Sequence, residues 1–302
     1  MKILFFVFPL LLFISCAQPK KRTFMPVNDL GDQDRIGAFE GDIDEEKFNL
    51  LIDIVVEEYT PIINYFGGRF FVNRLWQDPT VNASATQTDT NDWIVNMFGG
   101  LARREEITAD GFTLVICHEI GHHLGGYPFV IDWAANEGSS DYYAILGCAR
   151  HLWRDQPETL NFDPNNIPEL PRKLCDEAWY SNADRKLCYR SMAAGKSTAD
   201  LLGALVRTEV LFEVRDETVV DETSDSHPNA QCRLDTYMAA AICPVVWDDT
   251  LIPGKRFADR NSIEAEEESV NVSCSRAMQA GLNSLDDIRL GLRPTCWFKS
   301  KL

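Results

Sequence analysis

The spacing of apolar positions changes along the chain, and each change predicts an element. Residues 44–66 place Phe48, Leu51, Ile52, Val55, Val56 and Tyr59 at helical intervals, which predicts a first helix with one buried face. Pro61 is expected to bend or end it. The segments 69–76, 83–89 and 93–98 are short and bounded by turn residues, and are predicted as three strands. Beyond them the pattern returns to helical periodicity, at roughly 108–125, 135–153, 198–214 and 228–243. The Pro- and Asn-rich stretch 154–172 reads as a loop. No internal repeat is present. The fold class expected is α+β: one mainly helical domain over 44–302, with a small antiparallel or mixed sheet before the helix at 108–125.

The N-terminus departs from this pattern. Met1-Lys2 is followed by an apolar run from Ile3 to Ile14 and then Ser15-Cys16-Ala17. A positive start, a short apolar core and small residues at its end predict an export signal over 1–15. The run is too short for a membrane span. Ser15-Cys16 resembles a bacterial lipobox, which makes Cys16 the lipidated first residue of a membrane-anchored lipoprotein. Ala17 in place of Asp favours the outer membrane by the same resemblance, so the expected location is the cell envelope. The anchor and a polar tether are assigned to 16–43.

Export changes the reading of the cysteines. Of nine, eight remain after Cys16: Cys117, Cys148, Cys175, Cys188, Cys232, Cys243, Cys274 and Cys296. An even count in an exported chain predicts disulfides. Cys232 and Cys243 cannot pair with each other. They flank a helical stretch about 16 Å long, against a limit of roughly 7 Å between bridged Cα atoms. Cys175 and Cys188 bracket a short polar segment that a bridge would close. Cys117 and Cys148 would brace two helices, or stay as buried thiols. The net charge of −17 over 302 residues argues against nucleic acid as a partner.

The candidate chemistry lies at the end of the apolar run Phe112-Thr113-Leu114-Val115-Ile116. There the chain reads Cys117-His118-Glu119-Ile120-Gly121-His122-His123-Leu124-Gly125-Gly126. On a helix His118 and His122 project from one face, one turn apart, as needed to bind one Zn²⁺ at about 2.0–2.1 Å. Glu119 points about 100° away around the helix, where it can serve as a general base without becoming a ligand. A catalytic site needs a third protein ligand. Glu137, which opens the next helical segment, is the candidate, with Asp132 the runner-up. Asp141, one turn after Glu137, is placed to accept a hydrogen bond from a ligand histidine and fix its tautomer. His123 and His151 read as packing and surface residues. Gly195-Lys196-Ser197 lacks the upstream glycine of a phosphate loop and is set aside.

The run His118-Glu119-Ile120-Gly121-His122, followed by Asn136-Glu137-Gly138-Ser139-Ser140-Asp141, resembles the gluzincin metallopeptidases. In the order of its pieces the chain is similar to the HtpX-like group: Asn82-Ala83-Ser84-Ala85, then a strand ending Gly100-Leu101, then the zinc helix. His227-Pro228, ahead of Arg233, matches a further pair in such families. The resemblance spans roughly 69–243 and implies a zincin-type domain. It implies an oxyanion or resting-state ligand role for His227, against a plain helix cap, and an orienting role for Arg233. The strand holding Trp93, Ile94, Val95 and Asn96 is expected to be the edge that pairs with an extended peptide. The function expected is zinc-dependent hydrolysis of peptide bonds. The alternatives are a zinc hydrolase of cell-wall peptides and a non-catalytic, zinc-stabilised lipoprotein that binds a partner.

Overall fold

A computed structural model describes residues 20–31, 42–274 and 291–302. The signal at 1–15 and the lipidation residue Cys16 lie outside the described residues. The architecture is α+β, with a four-stranded mixed sheet on one side and helices making up the rest.

Helix α1 (Glu45–Tyr65) starts where the Asp44 side chain accepts from the Lys47 amide, with Glu45 and Glu46 favourably placed in the first turn. Phe48, Ile52, Val55, Tyr59 and Ile63 form its buried stripe. Pro61 does not end the helix. Its missing amide leaves the Glu57 carbonyl without a helical donor, but at an exposed position, and the helix runs on to Tyr65.

The sheet order is β1-β3-β4-β2, with β1 (Lys21–Thr23), β2 (Arg69–Leu75), β3 (Ala83–Gln87) and β4 (Asp92–Phe98). β3 pairs antiparallel with both β1 and β4, and β2 pairs parallel with β4. Two expectations are corrected here. The strand with Trp93, Ile94, Val95 and Asn96 is not an edge, because it is hydrogen-bonded on both sides. Its alternation sets only the face: Trp93, Val95 and Met97 are buried against the core. The second correction is the tether. Residues 21–23 form an outer strand of the sheet, and Phe24 and Met25 are fully buried.

After the short helix α2 (Gly99–Ala102), helix α3 (Ala109–Leu124) passes beneath β3 and β4. Thr108 caps it, and the Ser197 hydroxyl accepts from the Thr108 amide at 2.9 Å and donates to Glu106 O. The rejected Gly195-Lys196-Ser197 run thus orders the entry to α3. α4 (Glu137–Tyr143) crosses α3 where Gly121 lets the backbones meet. A Cβ there would lie 2.8 Å from Ser140 O. The predicted helix at 135–153 begins two residues later, capped by Asn136, and is interrupted by a π-helical turn at Ala144–Ala149 before α5 (Arg150–Trp153).

The expected loop at 154–172 contains α6 (Pro157–Leu160) and the start of α7 (Glu169–Ala178). The helix predicted at 198–214 is α8 (Asn182–Val206): Ser181 caps an earlier start, and Arg207, at φ 55°, stops it. α9 (Ala230–Ile242) packs on α8, and α10 (Ile263–Val270) follows.

Four disulfides join Cys117–Cys148, Cys175–Cys188, Cys232–Cys296 and Cys243–Cys274. The first ties α3 to the π-helical turn at the residue before His118. Such bridges form in oxidising, exported environments. No helix among the described residues is long and apolar enough to cross a membrane.

Candidate metal centre

The centre is assembled from α3, α4, α9 and β1. His118 and His122 leave one face of α3, and Glu137, the first residue of α4, meets them. All three are buried, and one ligand atom from each can be chosen so that all lie within 4.8 Å of one another. Glu137 Oε2 stands 3.3 Å from His118 Nε2, and Glu137 Oε1 3.7 Å from His122 Nε2. Asp132 is exposed and outside this group, which corrects its runner-up status: it lies in the turn before the α4 cap rather than on a face of the helix.

The outer nitrogens of both imidazoles are engaged. His118 Nδ1–H donates to Asp141 Oδ1 at 2.8 Å, and His122 Nδ1–H to the Ala135 carbonyl at 2.9 Å. Both Nε2 atoms therefore turn inward, and in the neutral rings they are acceptors. Neither has a hydrogen-bond partner, and nor do Glu137 Oε2 or either oxygen of Glu119. Buried polar atoms without partners cost about 1–3 kcal/mol each. Three of these five, the two imidazole nitrogens and Glu137 Oε2, are a donor set that a divalent cation satisfies. The group His118, His122 and Glu137 fits a metal ion.

Glu119 is completely buried and lies close enough to feel the charges of His118 and Glu137. Burial pushes its carboxyl up to about 8. Burial also drives His122 down to about 3, so its imidazole is neutral and ready to ligate. At His118 burial opposes the charge, but the Asp141 carboxylate outweighs it and lifts the ring to about 9. Glu137 is held far below the usual carboxylate range, because His122 and His118 overcome its burial.

Asp141 is the hub behind the ligands. It accepts from His118, from Arg233 Nε at 2.7 Å and Nη2 at 2.6 Å, and from the Tyr237 hydroxyl at 2.6 Å. Arg233 and Asp141 are both fully buried. The expected orienting role of Arg233 thus acts through Asp141. Tyr237, one turn after Arg233 on α9, was not foreseen. Its position relative to Arg233 is the only signal the sequence holds.

His227 does not cap α9. That place belongs to Asn229, whose side chain accepts from the Cys232 amide. His227 is half-buried in the preceding loop, with Nε2 3.6 Å from Glu137 Oε2. A carbonyl can only accept, so Nε2–H donates to Thr23 O, at 2.7 Å. Arg22, which sequence reasoning left in a tether, reaches Glu137 Oε1 at 2.5 Å. His123 is buried between Trp93 and Trp133, stacked at ring separations of 5.0 and 4.8 Å, and is a packing residue. His151 sits at the surface between Glu58 and Asp249.

A second group, Asp216 with Cys232 and Cys296, also lies close together, but its cysteines are bonded to each other and offer no thiolate. The described residues thus define an α+β chain with one buried His-His-Glu group that could hold a metal ion. Comparisons with protein-family models, curated proteins and solved structures find no match.

Proposed function

We propose that the chain is an exported zinc peptidase with a zincin-type domain, anchored through Cys16 and acting on extended polypeptide. The observation that carries this is the set of unpartnered Nε2 atoms of His118 and His122 beside the unpartnered Oε2 of Glu137 and both oxygens of Glu119. Two imidazoles and one carboxylate suit zinc, and a three-residue set leaves a coordination position open. When bound, zinc supplies Lewis-acid polarisation of the scissile carbonyl and acidifies the attacking water. A purely structural zinc site would be closed by a fourth Cys or His, and the described group has three members.

The chain's own residues supply the rest. Glu119 takes a proton from the attacking water and passes it to the departing nitrogen. His227 directs Nε2–H at a carbonyl lying where Thr23 O lies, and offsets the negative charge that develops on it. Asp141 holds His118 in the tautomer that turns Nε2 inward, and Arg233 keeps Asp141 ionised.

The test is zinc titration of the purified chain with elemental analysis. We expect about one zinc per chain. Affinity should fall by about tenfold per pH unit on acidification below His118's raised pKa, because one proton must leave that ring before Nε2 can ligate. His118→Ala combined with His122→Ala should abolish binding. Full retention of zinc in that double variant removes the site.

A further inference from the structure

Residues 21–25 lie across the metal centre, and every main-chain carbonyl from 23 to 25 is held by a side-chain donor. His227 donates to Thr23 O at 2.7 Å, Arg233 Nη1 to Phe24 O at 2.5 Å, and Asn82 Nδ2 to Met25 O at 2.9 Å. The amides are held too: Phe24 N donates to Ala83 O at 3.1 Å and Met25 N to Asn82 Oδ1 at 3.2 Å. β1 runs antiparallel to β3, with Arg22 opposite Ala85 and Thr23 opposite Ser84. On either side of the Thr23–Phe24 amide the side chains go into the site. Arg22 reaches Glu137, and the buried Phe24 ring packs edge-on to His118 at 5.1 Å and beneath the Arg233 guanidinium at 4.3 Å.

This is how a peptide adds to a sheet edge: main-chain bonds hold it, and pockets take alternate side chains. A purely structural strand does not require its carbonyl to meet the histidine beside a metal ligand. Of the held carbonyls, Thr23 is the one whose donor also stands within 3.6 Å of Glu137.

We propose that the chain is its own first substrate and hydrolyses the Thr23–Phe24 bond. The inference rests on the peptidase reading. Water adds to the Thr23 carbonyl carbon, and the C–N bond to Phe24 breaks. Oxygen stays on Thr23 as a carboxylate, and the Phe24 nitrogen leaves as an amine with the proton carried by Glu119. The cut separates residues 1–23, including Cys16 and the Lys20-Lys21-Arg22 cluster, from the domain. It removes β1 and Arg22 from the centre and frees the outer edge of β3 for an extended peptide in trans.

The experiment follows the full chain, stripped of metal and then given zinc, by intact mass against a Glu119→Gln control. The expected result is a domain beginning at Phe24 and a released piece ending at Thr23. The rate should not change on dilution, since the reaction is intramolecular, and the control should remain uncut. A metal-free readout accompanies it: in the Glu119→Gln chain, hydrogen exchange at the Phe24 and Met25 amides should be slowed by about tenfold or more relative to unstructured chain. Asn82→Ala should weaken that protection at Met25. An intact N-terminus in a wild-type chain that degrades an unfolded polypeptide in a Glu119-dependent way overturns the proposal and leaves the peptidase reading standing. Unprotected amides at 24 and 25 overturn it as well. Failure to cut either substrate overturns both.

Discussion

Glu119→Gln is expected to lose peptide hydrolysis by about 10²–10⁴-fold, with zinc content unchanged. The amide has the shape of the carboxylate but cannot accept a proton. Zinc stays because Glu119 is not in the His118, His122 and Glu137 group. The fold should hold too. Glu119 is fully buried, neither oxygen has a partner, and burial already pushes it toward the neutral form. Replacing it with a neutral group of the same shape adds no buried charge and breaks no hydrogen bond. Thermal stability of the metal-free variant should therefore equal or exceed that of the parent. Near-normal turnover in Glu119→Gln contradicts its role as base.

Arg233→Met is expected to be the most destabilising change at the site, by about 3–5 kcal/mol. Arg233 and Asp141 are both inaccessible to water, and the guanidinium grips both carboxylate oxygens. Methionine fills similar volume but leaves Asp141 as a buried anion. Only His118 and Tyr237 then remain to hydrogen-bond it. For a domain of this size the loss should lower Tm on the order of 10 °C. Pairing the change with Asp141→Asn should recover much of it, because the buried charge is gone while an oxygen still accepts from His118. A single Arg233→Met variant within about 1 kcal/mol of the parent contradicts the description of this pair.

The site was more legible than the fold around it, for a physical reason. The candidate ligands His118 and His122 sit on one helix, so the helical repeat alone brings them together, and Glu137 and Asp141 share the next helix in the same way. Arg233 and His227 come from far along the chain. Their placement beside Asp141 and Glu137 depends on how α9 packs on α4, which no local pattern encodes. The edge strand was misassigned because a strand's periodicity does not say which neighbours it pairs with. β4 alternates as an edge strand on a half-buried sheet would, yet takes partners on both sides. Arg22 through Met25 carry no signal because four residues between polar stretches are too short for any period to register. The π-helical turn at 144–149 leaves no sequence mark, since its residues are all apolar or small. The disulfides were legible where spacing decides, as at Cys175–Cys188 and in the exclusion of Cys232–Cys243. They were illegible where the partner is set by tertiary packing, as at Cys232–Cys296.

The most direct test of the central claim is hydrolysis of an unfolded, disulfide-free polypeptide by the purified chain, followed as new α-amino groups. Activity should accompany one bound zinc, disappear on chelation and return when zinc is restored. His118→Ala with His122→Ala should show none. A wild-type chain that binds one zinc at His118, His122 and Glu137, stays folded, and releases no new termini from any unfolded polypeptide or from its own N-terminal segment would contradict the account.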